Sequence, residues 1–133
     1  MNNQWGEFLT VAIEDTPESK ATKSILQNHL LAFQQNDLKG VMNDYTNQSV
    51  FITEEQTYVG TAQIETFFSG LLVHFPKDDI HFDLDKLVIR DEFAFIIWHA
   101  TTPTLDVSFG TDTFLLKDGK IFRQTFAAVS AFL

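Results

Sequence analysis

Residues 80–132 read IHFDLDKLVI RDE FAFIIWHATT PTL DVSFGTDTFLL KDG KIFRQTFAAVSAF, and this stretch decides the fold. Its β-branched and aromatic runs predict four long strands at 80–89, 93–102, 106–116 and 120–132. The breaks Arg90-Asp91-Glu92, Pro103-Thr104-Leu105 and Lys117-Asp118-Gly119 are short and polar or carry Pro or Gly, as turns do. Short connections between consecutive strands give an antiparallel meander.

Upstream the period changes. Trp5, Phe8, Leu9, Ala12 and Ile13 fall on one helical face, which predicts an amphipathic N-terminal arm over 1–15. Thr16-Pro17-Glu18 supplies an N-cap, a proline at the first helical position and an acid in the first turn of a helix over 17–35. Asp37 caps a second, shorter helix ending near Thr46. Residues 49–53 and 57–59 make a small hairpin, and Thr61 caps a third helix that stops before Pro76. Helices first and sheet afterwards, with no repeat and no linker, is the pattern of one α+β domain spanning 1–133.

Strand alternation then nominates the residues that look into the space between helices and sheet. In the second long strand Phe93, Phe95, Ile97 and His99 share one face, and Ala94, Ile96, Trp98 and Ala100 the other. Both faces are apolar, so helices are expected to cover one and a second copy of the chain the other, with Trp98 in a homodimer interface. A hairpin centred near Leu105–Asp106 sets His99 opposite Asp112 and Ile97 opposite Phe114; a slip of one residue would separate the polar pair. At Lys117-Asp118-Gly119-Lys120 a three-residue loop sets Gln124 against Asp112 and Phe114 against Phe122, and a two-residue turn sets Thr125 there. The three-residue loop is preferred because it leaves Arg123 outside. His29 lies in the apolar stripe of the first long helix and points where Leu26 and Phe33 point. Asp112, His99 and His29 are therefore the candidate catalytic residues, with Tyr45, Phe67, Phe95, Ile97, Phe114 and Gln124 as candidate ligand contacts.

Composition excludes other classes. Eighteen acidic residues against nine basic ones give a net charge of −9, which repels phosphate backbones and anionic membranes, so neither nucleic acid nor membrane is expected as a partner. There is no cysteine, hence no disulfide framework, thiol nucleophile or thiolate site. His74 and His81, with Asp78 and Asp79, fit no compact metal-ligand spacing, and no metal is expected. There is no glycine-rich phosphate loop and no nucleophile elbow. No apolar run approaches the roughly 18 residues of a membrane span, and Met1-Asn2-Asn3-Gln4 lacks a basic, apolar leader, so a cytoplasmic protein is expected. Fourteen phenylalanines mark a greasy interior, filled or hollow.

Several strings resemble the nuclear transport factor 2-like superfamily, in its SnoaL-like and ketosteroid isomerase-like branch. They are Phe33-Gln34-Gln35-Asn36-Asp37-Leu38-Lys39-Gly40, the run from Tyr45 to Phe51, the run from Tyr58 to Phe68, Thr111-Asp112-Thr113-Phe114 and Lys117-Asp118-Gly119-Lys120-Ile121. The resemblance implies a cystatin-like roll: a cone-shaped, strongly curved antiparallel sheet wrapped around three helices, with a pocket at its wide end. It places the isomerases' oxyanion-holding aspartate at Asp112, their tyrosine at His29 and their general base at Thr53, which cannot take a proton at neutral pH; Glu54 and Glu55 follow it. Steroid isomerisation is thus not carried over. Three readings stay open: a cofactor-independent enzyme moving protons on a small apolar organic molecule (isomerase, cyclase or hydratase type), a non-catalytic binder of such a molecule, and a dimeric interaction module whose cone is filled by Phe.

Overall fold

In the computed structural model, residues 10–133 are described. Seven strands, β1 (Thr10–Ile13), β2 (Val50–Thr53), β3 (Thr57–Val59), β4 (His81–Arg90), β5 (Phe93–Thr101), β6 (Leu105–Lys117) and β7 (Lys120–Phe132), form one sheet in the order β1-β4-β5-β6-β7-β2-β3. Its centre, β4 to β7, is the expected antiparallel meander, while β1 joins β4 and β2 joins β7 in parallel. The helices α1 (Pro17–Gln34), α2 (Leu38–Met42) and α3 (Gly60–Leu72) pack inside the curve. This is the α+β cone, with a curved sheet that does not close.

The caps act as the sequence suggests. Thr16 Oγ1 accepts the Ser19 N–H at 3.0 Å, and Asp37 accepts the Gly40 N–H. Ser19 Oγ in turn accepts the Asp91 N–H at 2.7 Å, which ties the start of α1 to the β4–β5 turn. Two boundaries differ: α2 ends at Met42, and α3 begins at Gly60 without a side-chain cap, Thr61 bonding Asn47 instead. The N-terminal helix is also corrected. Residues 10–13 form an edge strand, because Thr10, Val11 and Ile13 are β-branched and β4 offers them an open ladder. Trp5, Phe8 and Leu9, the rest of the expected arm, lie outside the described residues.

The larger corrections concern register. The β5–β6 hairpin turns through 102–105, held by the Thr102 N–H to Leu105 carbonyl bond at 2.8 Å, and β6 carries a bulge at Ser108. Asp112 therefore pairs with Ile96, and Ala94 with Phe114. The offset from the expected pairing is three residues, an odd number, so the faces exchange. Ala94, Ile96, Trp98 and Ala100 point inward and are buried, whereas Phe93, Phe95, Ile97 and His99 point outward. Trp98 is thus an interior residue and not part of the outer face. At the last hairpin Lys117 pairs with Lys120, a two-residue turn with Asp118 (φ 51°) and Gly119 (φ 77°) both left-handed. A bulge at Phe122 then sets Gln124 opposite Phe114, not Asp112.

Gly110 is the position across from Trp98, and a Cβ there would overlap the indole, coming within 2.7 Å of Cζ2. Gly110→Ala should cost about 1–3 kcal/mol by overpacking, read by urea unfolding, and should displace the Trp98 indole N–H resonance. Gly70→Ala, whose Cβ would meet nothing within 4 Å, should be neutral or slightly stabilising in its helix.

Candidate functional site

A cavity of about 40 Å³ lies between the helices and the inner face of the sheet. From α1 come His29, Leu30 and Phe33, and from α3 Phe67, Phe68 and Leu71. The sheet contributes Phe51 and Phe82, then the inward pairs Ile96 and Trp98, Asp112 and Phe114, and Gln124 and Phe126. One turn of helix or two residues of strand separate the members of each pair, so the lining follows directly from the two periodicities.

Asp112 is 7% exposed. Trp98 Nε1–H donates to its Oδ1 at 2.8 Å, and Gln124 Nε2–H donates to its Oδ2 at 2.9 Å. Gln124 is oriented by Tyr45, whose hydroxyl donates to Gln124 Oε1 at 2.5 Å. His29 Nε2 lies 3.4 Å from the same hydroxyl, and Nδ1–H donates to Asp44 Oδ2 at 2.9 Å. A buried chain therefore runs Asp44, His29, Tyr45, Gln124, Asp112, Trp98. An indole N–H can only donate, and Gln124 turns its amide nitrogen to Asp112 because its oxygen is engaged by Tyr45. Both neighbours of Asp112 are thus donors, which is the pattern that suits a carboxylate and not a carboxylic acid that must itself donate.

Burial pushes the Asp112 pKa up to about 6, against the lowering effects of the Trp98 and Gln124 bonds and of nearby His29. Burial, reinforced by Asp112 and Asp44, raises that of Tyr45 well above its ordinary value, so Tyr45 stays a neutral donor.

Of the expected site residues, His29, Asp112, Phe67, Phe114 and Gln124 meet at the cavity wall. Tyr45 is buried next to them without lining it. His99, Phe95 and Ile97 do not join them, since the register turns all three outward. His99 instead lies between two carboxylates of β4, with Nδ1 2.7 Å from Asp85 and Nε2 3.2 Å from Asp83. A bulge at Asp85 turns both acids to the outer face; the Asp85 hydrogen bond is the main cause raising the imidazole pKa. Thr53 is bound up in its own turn, accepting the Gln56 N–H at 3.1 Å, and Glu54 accepts the Ala128 N–H. Sequence reasoning missed Trp98 and Asp44. Gly110, the one glycine of the third long strand, was a usable signal for the first, because an indole lying across a strand leaves no room for a Cβ beneath it. Asp44 follows the end of α2 and carries no periodic signal. Among the described residues no group of three potential ligands could hold a metal ion.

The SnoaL-like domain family matches residues 26–124. Solved structures with the same fold include an NTF2-like protein of unknown function from Mesorhizobium loti, with 17% identity, TM-score 0.71, and coverage of 90% of this chain and 98% of that one. A candidate ketosteroid isomerase from Kribbella flavida follows at 13% identity and TM-score 0.68, over 86% and 82% of the two chains. A candidate SnoaL-like polyketide cyclase from Shewanella putrefaciens has 11% identity and TM-score 0.66, over 86% and 81%. Among curated proteins, none matches this sequence.

The folded protein holds Asp112 protonated to higher pH than the unfolded chain does, so Asp112 stabilises fully below pH 4, and that contribution is lost as pH rises through about 6. The shift corresponds to roughly 1–3 kcal/mol. Asp112→Asn should remove this part of the pH dependence, which unfolding curves at pH 4, 6 and 8 would reveal; parallel curves for the two proteins would contradict the assignment.

Proposed function

The chain belongs to the SnoaL-like domain family, and on that footing we propose that it encloses a small, largely apolar organic molecule beside Asp112 and moves a proton on it without a cofactor. The observation that carries this is a single buried carboxylate, beside Gln124 and His29, in the wall of a mostly aromatic and aliphatic cavity. A carboxylate with its pKa near 6 is a base matched to neutral pH. Isomerisation, cyclisation and addition or loss of water all need such a group, and the relatives named above as candidate isomerase and candidate cyclase point to the first two. His29, with Nδ1 engaged by Asp44, is the second ionisable group at the wall. Phe67, Phe114 and Gln124 are its ligand contacts in this reading. A non-catalytic binder is the second reading, favoured by one fact: both oxygens of Asp112 and both amide atoms of Gln124 already have protein partners.

The outer sheet face exposes Phe93, Phe109, Leu115 and Val129, a surface suited to a second copy of the chain. Among the described residues no helix is long and apolar enough to cross a membrane. With no cysteine that would need an oxidising compartment, the cytoplasm is the location we assign.

Trp98 reports occupancy. Adding a small apolar alcohol such as cyclopentanol should shift its indole N–H resonance, and Leu71→Trp, which fills the cavity, should abolish the response. If no small apolar molecule moves that signal, enclosure is wrong. Once a substrate is found, Asp112→Asn should lower turnover by about 10²–10⁴; unchanged turnover leaves the binder reading. For the dimer, sedimentation should give twice the chain mass, and Phe109→Asp with Val129→Asp should halve it; a monomeric wild type refutes it.

A further inference from the structure

We infer that the ligand of this cavity is a small organic ammonium, its apolar body against the aromatic wall and its charged N–H group directed at Asp112. This rests on the reading that the cavity takes a small organic molecule, and adds the sign of that molecule's polar end.

Hydrogen-bond polarity is the first ground. Trp98 and Gln124 each donate to one oxygen of Asp112. A carboxylate has about four acceptor directions, so two remain for a ligand, and there is no proton to offer in return. A carbonyl or phenolate end would meet an acceptor with an acceptor. The isomerase arrangement relies on an aspartic acid that donates, and the donors around Asp112 oppose that role.

Charge is the second ground. The titratable residues of the cavity wall are His29 and Asp112; among the described residues no lysine or arginine lines it. The groups that face Asp112 from the packed elements are His29 from α1, Tyr45 and Asp44 from the segment after α2, Trp98 from β5 and Gln124 from β7. His29 is itself bound to the carboxylate of Asp44, so an anionic ligand finds no free cation. Both donors to Asp112 are neutral, and an ammonium supplies the directly bonded counter-charge.

The wall is the third ground. Phe82, Trp98, Phe126, Phe51 and Phe68 form a series of near-parallel rings, with interplanar angles of 26°, 12°, 19° and 20° and centroid separations of 5.3, 6.1, 6.5 and 5.6 Å. Aromatic faces attract a desolvated cation, and the net charge of −9 raises the local concentration of cations around the molecule.

Cyclopentylammonium, cyclopentanol and cyclopentanone share one ring and differ in the polar atom, so they separate the possibilities. Binding is read by titrating the Trp98 indole N–H resonance of the full chain. At pH 7.5 the ammonium should bind about tenfold or more tightly than the ketone, as expected for a charge-assisted bond. That preference should fall below about threefold at pH 4.5, where Asp112 is protonated, and likewise in Asp112→Asn at pH 7.5. The pH comparison needs no variant and stands even if Asp112→Asn does not fold. Binding of the ketone as tight as or tighter than the ammonium at pH 7.5, or a preference indifferent to pH, overturns the ammonium assignment and leaves enclosure intact. Silence from all three, the neutral alcohol included, overturns enclosure and this inference together.

Discussion

The interior of this protein is organised by the need to keep a carboxylate out of water. An ionised carboxyl moved into an apolar setting costs several kcal/mol unless hydrogen bonds replace its hydration. Asp112 receives that replacement from Trp98 and Gln124, and each of those depends on something further out. Trp98 lies flat across the sheet because its partner residue is Gly110. Gln124 offers its amide nitrogen because Tyr45 holds its oxygen, and Tyr45 is next to His29, which is fixed by Asp44 at the edge of the core. Four separate elements converge on one side chain, and removing any link leaves a buried donor or acceptor unmatched.

The sequence was readable where period and local chemistry act alone. Thr16-Pro17 fixed the start of α1, Asp37 that of α2, and the hairpin turns separated the four long strands, so the architecture and the inward direction of His29, Asp112 and Phe114 followed. Gln124 also faces inward as expected, though by a two-residue turn and a compensating bulge at Phe122, not by the three-residue loop. What failed was anything that required counting residues across a hairpin. One unpaired residue, Ser108, and a hairpin turning through 102–105 moved His99, Phe95 and Ile97 to the outside and brought Trp98 in. A bulge has little local signature, because the extra residue is set by how the sheet must bend around the helices and not by its own preference. Thr10 to Ile13 erred for a related reason: four residues fit either period, and the open edge of β4 decided between them.

Membership in the SnoaL-like family describes shape more than chemistry. Relatives at 11–17% identity share the cone. Within it, the strand position that the resemblance assigns to a base holds Thr53, tied into its own turn, while the aspartate position is kept but surrounded by donors. The neighbours, and not the aspartate itself, thus make this position one that receives hydrogen bonds, from Trp98 and Gln124.

The bulge at Ser108 reaches further than local curvature. Beyond it, Gly110, Asp112 and Phe114 face the interior; before it, Leu105 and Val107 do. Were Ser108 kept but drawn into regular alternation, Phe109, Thr111 and Thr113 would turn inward instead, replacing the carboxylate by hydroxyls and setting a phenyl ring where the indole now lies. The bulge, not residue identity alone, thus selects which chemistry the wall displays. Two relatives with strands of the same length here, one bulged and one regular, would keep the same cone, and much of the same sequence, while turning opposite hydrogen-bonding groups inward.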